Sequence, residues 1–479
     1  MSASKVEGSE ALKREFTLGS AFTLAVVFIS PIVALYGVFA LVLMSAGPAG
    51  FWAFGVVLIG QLFVAGAFAL LSSRWPFEGS VYQWARRLGG ENYGWWTGWS
   101  YIWSLMIAVT GGAYFVAMLI PIMLNIPAFD PVTHTVVAIA VLILVTAINT
   151  AGPKAIKTFT IASLIAEVVG SIGLAIYLLA FHQNQPVEVL FDTAGTGMGD
   201  GGYLWAGFFA AVGFVGWAFV GFESAGAIAE EVKDARRNVP KAIIFSLVTI
   251  GAIVLFSALA LILSIPDIGT AVSGESIDPA ADTIIAALGV GVVSPLFGLI
   301  IIGFLASMMA AQTSASRVIW SFSREGVFPA AKALSKLSIR NKYPINAIIT
   351  AGAVSGLVLL FSLSGPIYST LVSFSVAGFY VAFALPILAL MVALYKGSWK
   401  FGAVKLKGWA KPVVTIAAAW AVFEAVNISW PRNPQLEWYQ NYAVLIAVVV
   451  VAIVGLVIWS SLRKEIEKAG KALQKESNS

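Results

Sequence analysis

Residues 213–231 read GFVGWAFVGFESAGAIAEE, a stretch in which glycines and a carboxylate in the middle interrupt a run otherwise apolar enough to cross a bilayer. Gly213, Gly216 and Gly221 each weaken a helix by roughly 1 kcal/mol. Glu223 in hydrocarbon costs about 2.5 kcal/mol or more unless it is hydrated or partnered. A helix that carries both penalties within a turn or two is expected to be broken and to line something. An earlier run holds Ser30 and Pro31 followed by Gly37, a second candidate break roughly 185 residues upstream. At a break, unpaired N–H groups and the positive half-helix dipole suit a carboxylate, while freed carbonyls and the opposite dipole suit a cation or ammonium. A zwitterion therefore fits between two breaks. Pro31 alone also reads as a kink in a packed helix, which membrane spans tolerate, but the matched second break argues against that.

Three acids fall within apolar runs. Glu223 follows the second break, where it can carry a proton or make a structural hydrogen bond to freed backbone N–H groups. Glu167, in TIASLIAEVVGSIGLAIYL, can carry a proton, contact a cation, or pair with a hydroxyl or an indole on a neighbouring helix. Glu424 lies in the eleventh run, near the outer surface, and reads more as structural than functional. Ser307, Gln312, Thr313 and Ser314 at helical spacing are candidates to face the fifth run and complete a cation pocket near Glu167, although such hydroxyls more often bond their own backbone. Phe214, Trp217, Phe219 and Phe222 surround the second break. A tryptophan face can hold an ammonium by cation–π attraction, which makes Trp217 the expected gate. Trp95, Trp96, Trp99 and Trp103 read as interface belt and packing. His134 and His182 lie far apart in sequence and are expected at the surface.

The elements that must position these residues follow from composition. With 59% hydrophobic and 11% charged residues and a mean hydropathy of +0.89, the chain is a polytopic membrane protein rather than a soluble domain. Apolar runs of about 20 residues begin near Leu18, Phe51, Tyr93, Thr133, Ile156, Leu204, Pro240, Gly291, Pro344, Pro366, Pro412 and Tyr442, predicting twelve helices. If the amino terminus is cytoplasmic, 28 of the 29 Lys and Arg fall on that side and only Arg432 falls outside; a missed helix would scatter them over both faces. This explains the basic pI of about 9.2 without nucleic acid. The chain has no cysteine, so disulfides, thiolate metal sites and thiol catalysis are excluded together. The first run, roughly 28 residues long, exceeds a signal-peptide core and is expected to be retained as a span. Residues 462–479 alternate Lys and Glu as a solvated helix end does.

The two breaks lie five spans apart, in the first and the sixth, so the copies that carry them run in opposite senses, the mark of inverted repeats. The expected layout is a cytoplasmic segment 1–17, a first five-helix repeat 18–182, an extracellular loop 183–203, a second repeat 204–394, two extra helices within 395–462, and a cytoplasmic tail 463–479. On the inner side Glu230, Glu231, Lys233, Asp234, Arg236 and Arg237 close the sixth span, and Arg86, Arg87 and Arg317 lie at other inner ends. Ion pairs among them are candidates for a gate; the alternative is topological charge, since exposed pairs give only about 0–1 kcal/mol.

These residues resemble the amino acid-polyamine-organocation transporters. AFVGFESAGAIAEEVKDARRNVPKAI (218–243) resembles that superfamily's sixth-helix signature, RWPFEGSVYQWARRLGG (74–90) its loop after the second helix, and AAQTSASRVIWSFSREGVFP (310–329) the end of its eighth helix. The resemblance covers most of the chain from Leu18 to about Leu462. NISWPRNPQLEWYQNYAV (427–444) is similar to the amino acid/choline and GABA permease branch, and FISPIVALYG (28–37) to that branch and the polyamine importers. The resemblance implies an all-α, LeuT-type, five-plus-five inverted repeat with discontinuous helices 1 and 6, and alternating access to a site between them. It implies substrate contacts from Ser30, Pro31, Ile32, Phe214, Gly216, Trp217, Ala218 and Gly221. Coupling or gating is implied at Glu223, Glu167, Ser307 and Trp217, with a carboxylate in Glu223's place used for gating or proton sensing. The superfamily's usual first-helix Gly-x-Gly, which presents N–H groups to an α-carboxylate, is not obvious here, and Pro31 has no N–H. That departure leaves room for an amine, a polyamine or GABA beside α-amino acids.

No HExxH, GxSxG or Walker A loop occurs, so an enzyme is not expected, nor a metal or cofactor. The expectation is a secondary transporter of amino acids or related amines in the cell membrane, coupled to a proton or alternatively sodium, as monomer or homodimer. The alternatives are an exchanger for polyamine, GABA or choline, and a nutrient receptor or channel.

Overall fold

The computed structural model describes residues 17–199, 201–276, 278–339, 342–364, 367–432 and 437–478. Among the described residues every regular element is helical. Among them twelve helices are long and apolar enough to cross a membrane: Leu18–Tyr36, Pro48–Arg74, Glu91–Leu124, Pro131–Thr150, Thr158–Phe181, Leu204–Ala227, Ala235–Ser264, Val290–Arg324, Ile345–Leu363, Tyr368–Tyr395, Lys407–Ser429 and Ala443–Ser461. In hydrocarbon each backbone polar group must find a partner within the protein, and the helix satisfies them along its own length. Lys5, Lys13, Arg14 and Arg340, used above to orient the chain, lie outside the described residues, as does most of segment 1–17.

Helix starts follow local chemistry. Asp130 accepts the N–H groups of Val132 and Thr133 with Pro131 in the first helical position, and Asp278 does the same for Ala280 and Ala281 ahead of Pro279. Small residues then allow close crossings. At Gly60 of the second span a Cβ would sit 2.1 Å from the indole of Trp420, so the eleventh span packs directly on that backbone.

The third span is the most buried and packs against the eighth and tenth, the seventh packs against the first and second, and the twelfth is almost wholly exposed. Trp95 and Trp99 stack at 5.5 Å, and Trp99 Nε1 donates to Val451 O on the twelfth span. Trp95 and Trp99 are buried, so these two serve packing rather than an interface belt. His134 and His182 are half-buried rather than surface residues: His134 lies 4.2 Å from the Tyr114 ring and His182 Nε2 is 3.1 Å from Tyr177 Oη. Each ring packs against a tyrosine, which removes part of it from solvent.

Candidate substrate and coupling site

The first span is interrupted at Ser30. Helix Leu18–Ile29 stops there, Ser30 takes φ +49° and ψ +113°, and a second helix, Pro31–Tyr36, begins. Pro31 has no N–H to give back to the preceding turn. In a continuous helix the Ile32 N–H would bond Phe28 O; instead it donates to Glu167 Oε2 at 3.0 Å. Phe28 O accepts Ser307 Oγ from the eighth span at 2.5 Å. Ser30 Oγ accepts the Val33 N–H at 3.1 Å and donates to Glu167 Oε1. Glu167 is thus a plug for the broken backbone. It immediately precedes a π-helical turn, Val168–Gly173, and Gly170 O within that turn accepts Tyr36 Oη at 3.2 Å. Such one-turn π insertions recur at functional sites.

The sixth span breaks more gradually. A π-helical turn, Leu204–Phe208, leads into the α-helix Phe209–Val215, then a 3₁₀ turn, Gly216–Phe219, and Val220 is fully extended. Gly221 has φ +103°, a conformation that strains any other residue, and a Cβ there would meet the Phe28 ring at 2.9 Å. Helix resumes at Ser224. Glu223 turns back on the break: its Oε2 accepts the Gly221 N–H at 2.9 Å and its Oε1 accepts Tyr101 Oη from the third span at 2.9 Å. Both breaks are therefore closed by a glutamate that takes one backbone N–H and one hydroxyl.

Between them lies a narrow cavity. The first span supplies Phe28, Ile29 and Val33; the third, Ala108 and Gly112; the sixth, Trp217 and Val220; the eighth, Phe304, Ser307, Met308 and Ala311. None of these lining side chains is charged. Trp217 is 6% exposed, and its indole N–H has no partner among the described residues. Its ring reaches from the end of the first break to the third span, with Nε1 3.3 Å from where a Cβ on Gly37 would be and Cη2 3.3 Å from one on Gly111.

Of the residues expected at the site, Trp217 and Ser307 line this cavity. Ser30 and Ile32 are instead occupied by Glu167, and Pro31, Gly216, Ala218 and Gly221 are buried in the backbone around it. Phe214 is half-buried and packs against the core. Gln312 and Thr313 face the fourth span rather than the fifth. Gln312 Oε1 accepts Asn149 Nδ2 at 3.1 Å, Gln312 Nε2 donates to Thr146 Oγ1 at 2.8 Å, and Thr313 Oγ1 donates to Asn149 Oδ1 at 3.1 Å. They thus build an interhelical lock and not a cation pocket. Ser314 is buried, and its hydroxyl has no partner among the described residues. Glu424 is buried and accepts Asn427 Nδ2 at 3.3 Å.

At the loop end of the sixth span, Arg317 Nε pairs with Glu231 at 3.2 Å and Arg324 Nη1 with Glu230 at 3.1 Å. Arg86 joins Glu91 to Glu325, the latter at 3.2 Å. Arg87 is held by Gln83 and lies over Phe77. Lys233, Arg236 and Arg237 form none of these ion pairs. Sequence reasoning missed Tyr101, Phe28 and Met308. A tyrosine, a phenylalanine or a methionine in an apolar run carries no signal of its own, and only the break opposite selects it.

A membrane protein with twelve candidate spans, two of them interrupted and meeting at an uncharged cavity, has the form of a solute carrier. Residues 20–453 match the model of a protein family described as amino acid permease. The chain belongs to that family, and so is a secondary transporter of amino acids or related amines and not an enzyme. It is 26% identical to the branched-chain amino acid permease BcaP of Lactococcus lactis subsp. cremoris, covering 65% of this chain and 68% of that protein. It is also 26% identical to the low-affinity putrescine importer PlaP of Escherichia coli K12, over 65% and 67%. With the amino-acid permease BAT1 of Arabidopsis thaliana it shares 25% over 88% and 86%.

Proposed function

We propose that the chain imports small neutral amino acids with apolar side chains by alternating access, driven by protons, across the cell membrane with both termini in the cytoplasm. The carrying observation is the uncharged cavity between the breaks. A diamine would bring two ammonium groups into it, and buried charges without partners are costly. An apolar side chain against Ala108, Val220, Phe304 and Met308 is favoured instead. The N–H groups of Ile32 and Val33 are spent on Glu167 and Ser30, so the substrate carboxylate takes its hydrogen bond from the Trp217 indole, and the ammonium lies against the Ser307 hydroxyl and the carbonyls of the first break. Pieces 18–182 and 204–394 act as inverted repeats that rock about this site, with the Arg317–Glu231 and Arg324–Glu230 pairs closing the cytoplasmic mouth.

Glu223 is the proton carrier, since its two partners, Tyr101 and the Gly221 N–H, join it directly to the moving break. BcaP, by name a branched-chain permease, accords with an apolar amino acid, whereas PlaP, by name a putrescine importer, marks the competing substrate. The test is uptake by proteoliposomes under an imposed pH gradient, with leucine, alanine, GABA, choline and putrescine compared. Saturable, gradient-dependent leucine or alanine uptake is expected. Preference for putrescine or choline would reject the substrate assignment, and exchange without net accumulation would make the protein an antiporter. Binding without flux would make it a receptor.

A further inference from the structure

Glu78 lies in the loop between the second span and the short helix Val81–Gly89. It is fully buried, and neither of its carboxyl oxygens has a hydrogen-bond partner among the described residues. Its backbone is clamped on both sides: the N–H donates to Glu230 Oε1 at 3.2 Å, and the carbonyl accepts Ser321 Oγ at 3.1 Å. Four charged groups face it, Glu230 and Glu231 from the end of the sixth span and Arg317 and Arg324 from the end of the eighth. The Tyr343 phenol also lies within its field.

Both guanidiniums are already committed. Arg317 holds Glu231 and lies 4.2 Å over the Tyr343 ring; Arg324 holds Glu230 and lies 4.6 Å over Trp320. Three carboxyls thus face two cations, and an ionised Glu78 would be the uncompensated one. One proton restores the balance. A buried acid left over from a complete set of ion pairs is a group that must bind a proton for the assembly to close.

We propose that Glu78 is a proton-binding site that latches this gate: protonated, it allows the loop, the sixth-span end and the eighth-span end to close on one another, and ionised, it drives them apart. Burial, then Glu231 and Glu230, push the Glu78 carboxyl well above its ordinary range against the pull of Arg317 and Arg324. Opening the gate would hydrate the carboxyl and let it ionise, so the closed form binds the proton more tightly and acid favours closure. The inference rests on the alternating-access reading above, and deepens it by adding a second proton site at the gate, separate from Glu223.

Because the chain has no cysteine, a single reporter thiol can be placed at buried Ser224, on the gate side of the sixth-span break. S224C protein, with Glu78 or with Glu78→Gln, is purified and its rate of modification by a hydrophilic maleimide is followed from about pH 5 to about pH 8. The ratio of the two rates at each pH cancels the thiol's own titration. We expect that ratio to rise about fivefold or more with pH, with Glu78→Asp retaining the rise. A flat ratio overturns the latch.

If Glu78→Gln does not fold, the S224C protein alone is compared with a free-thiol standard, and a rate that merely tracks the standard overturns the proposal equally. A ratio that titrates in a protein showing no solute uptake leaves the latch standing and removes the transport reading instead.

Discussion

The two glutamates in the membrane do one structural job twice. Glu167 and Glu223 each accept one backbone N–H set loose by a break and one hydroxyl from a neighbouring helix. If Glu223 couples the proton, Glu223→Gln keeps its size and part of its bonding but not its charge. Uptake should then fall and its pH profile flatten; a profile identical to wild type would remove Glu223 from coupling. Glu167→Ala strips the acceptor from Ser30 and Ile32 and leaves two buried donors, each worth about 1–3 kcal/mol. Gradient-driven accumulation in liposomes should drop more than substrate affinity measured by binding. That both acids and Trp217 lie beside the breaks was legible in the sequence, because charge and glycine are costly in an apolar run and Trp217 sits among those glycines. Tyr101 was not, since a tyrosine is cheap there and its role comes only from the Glu223 carboxylate opposite.

At the scale of the element, the eighth span shows what helical spacing leaves open. Periodicity puts Ser307, Gln312, Thr313 and Ser314 on nameable faces of one helix, but not against a particular neighbour. The structure turns Gln312 and Thr313 to Asn149 and leaves Ser307 on the first break. Toward its C-terminal end the same span carries Arg317, buried against Glu231, and breaking such a pair by removing one partner costs about 3–5 kcal/mol. Arg317→Ala should therefore lower the melting temperature of the purified protein strongly, and Glu231→Gln in the same chain should restore part of the loss. Independent, additive losses would mean that the pair is not coupled. Both breaks were readable as elements, one from serine and proline and the other from closely spaced glycines. The extended Val220 and the Gly221 conformation, which let the Phe28 ring approach, required the first span to be in place.

For the whole molecule, protons favour the folded state at more than one loop. Asp278, outside the spans, caps the helix Pro279–Leu288, yet burial outweighs its two N–H bonds and, with Asp282 nearby, pushes its carboxyl up to about 6. A carboxyl raised on folding gives stability that is complete below its ordinary value and is lost as pH rises through the raised one. For Asp278 the window runs from about pH 4 to about pH 6, and the loss is on the order of 3 kcal/mol. Melting curves in detergent should show wild type losing stability across that window relative to Asp278→Asn; parallel curves would place Asp278 in water. The sequence by itself determined the membrane class, the span count and the two breaks. Those depend on the cost of polar groups and charges in hydrocarbon, which is counted residue by residue along the chain. Only the tertiary structure decided which carboxylate plugs which break, that the cavity between them is uncharged, and that Glu78 is buried beside two complete ion pairs. Those depend on which side chains face one another across helices distant in sequence, and no spacing along a single helix specifies its neighbours.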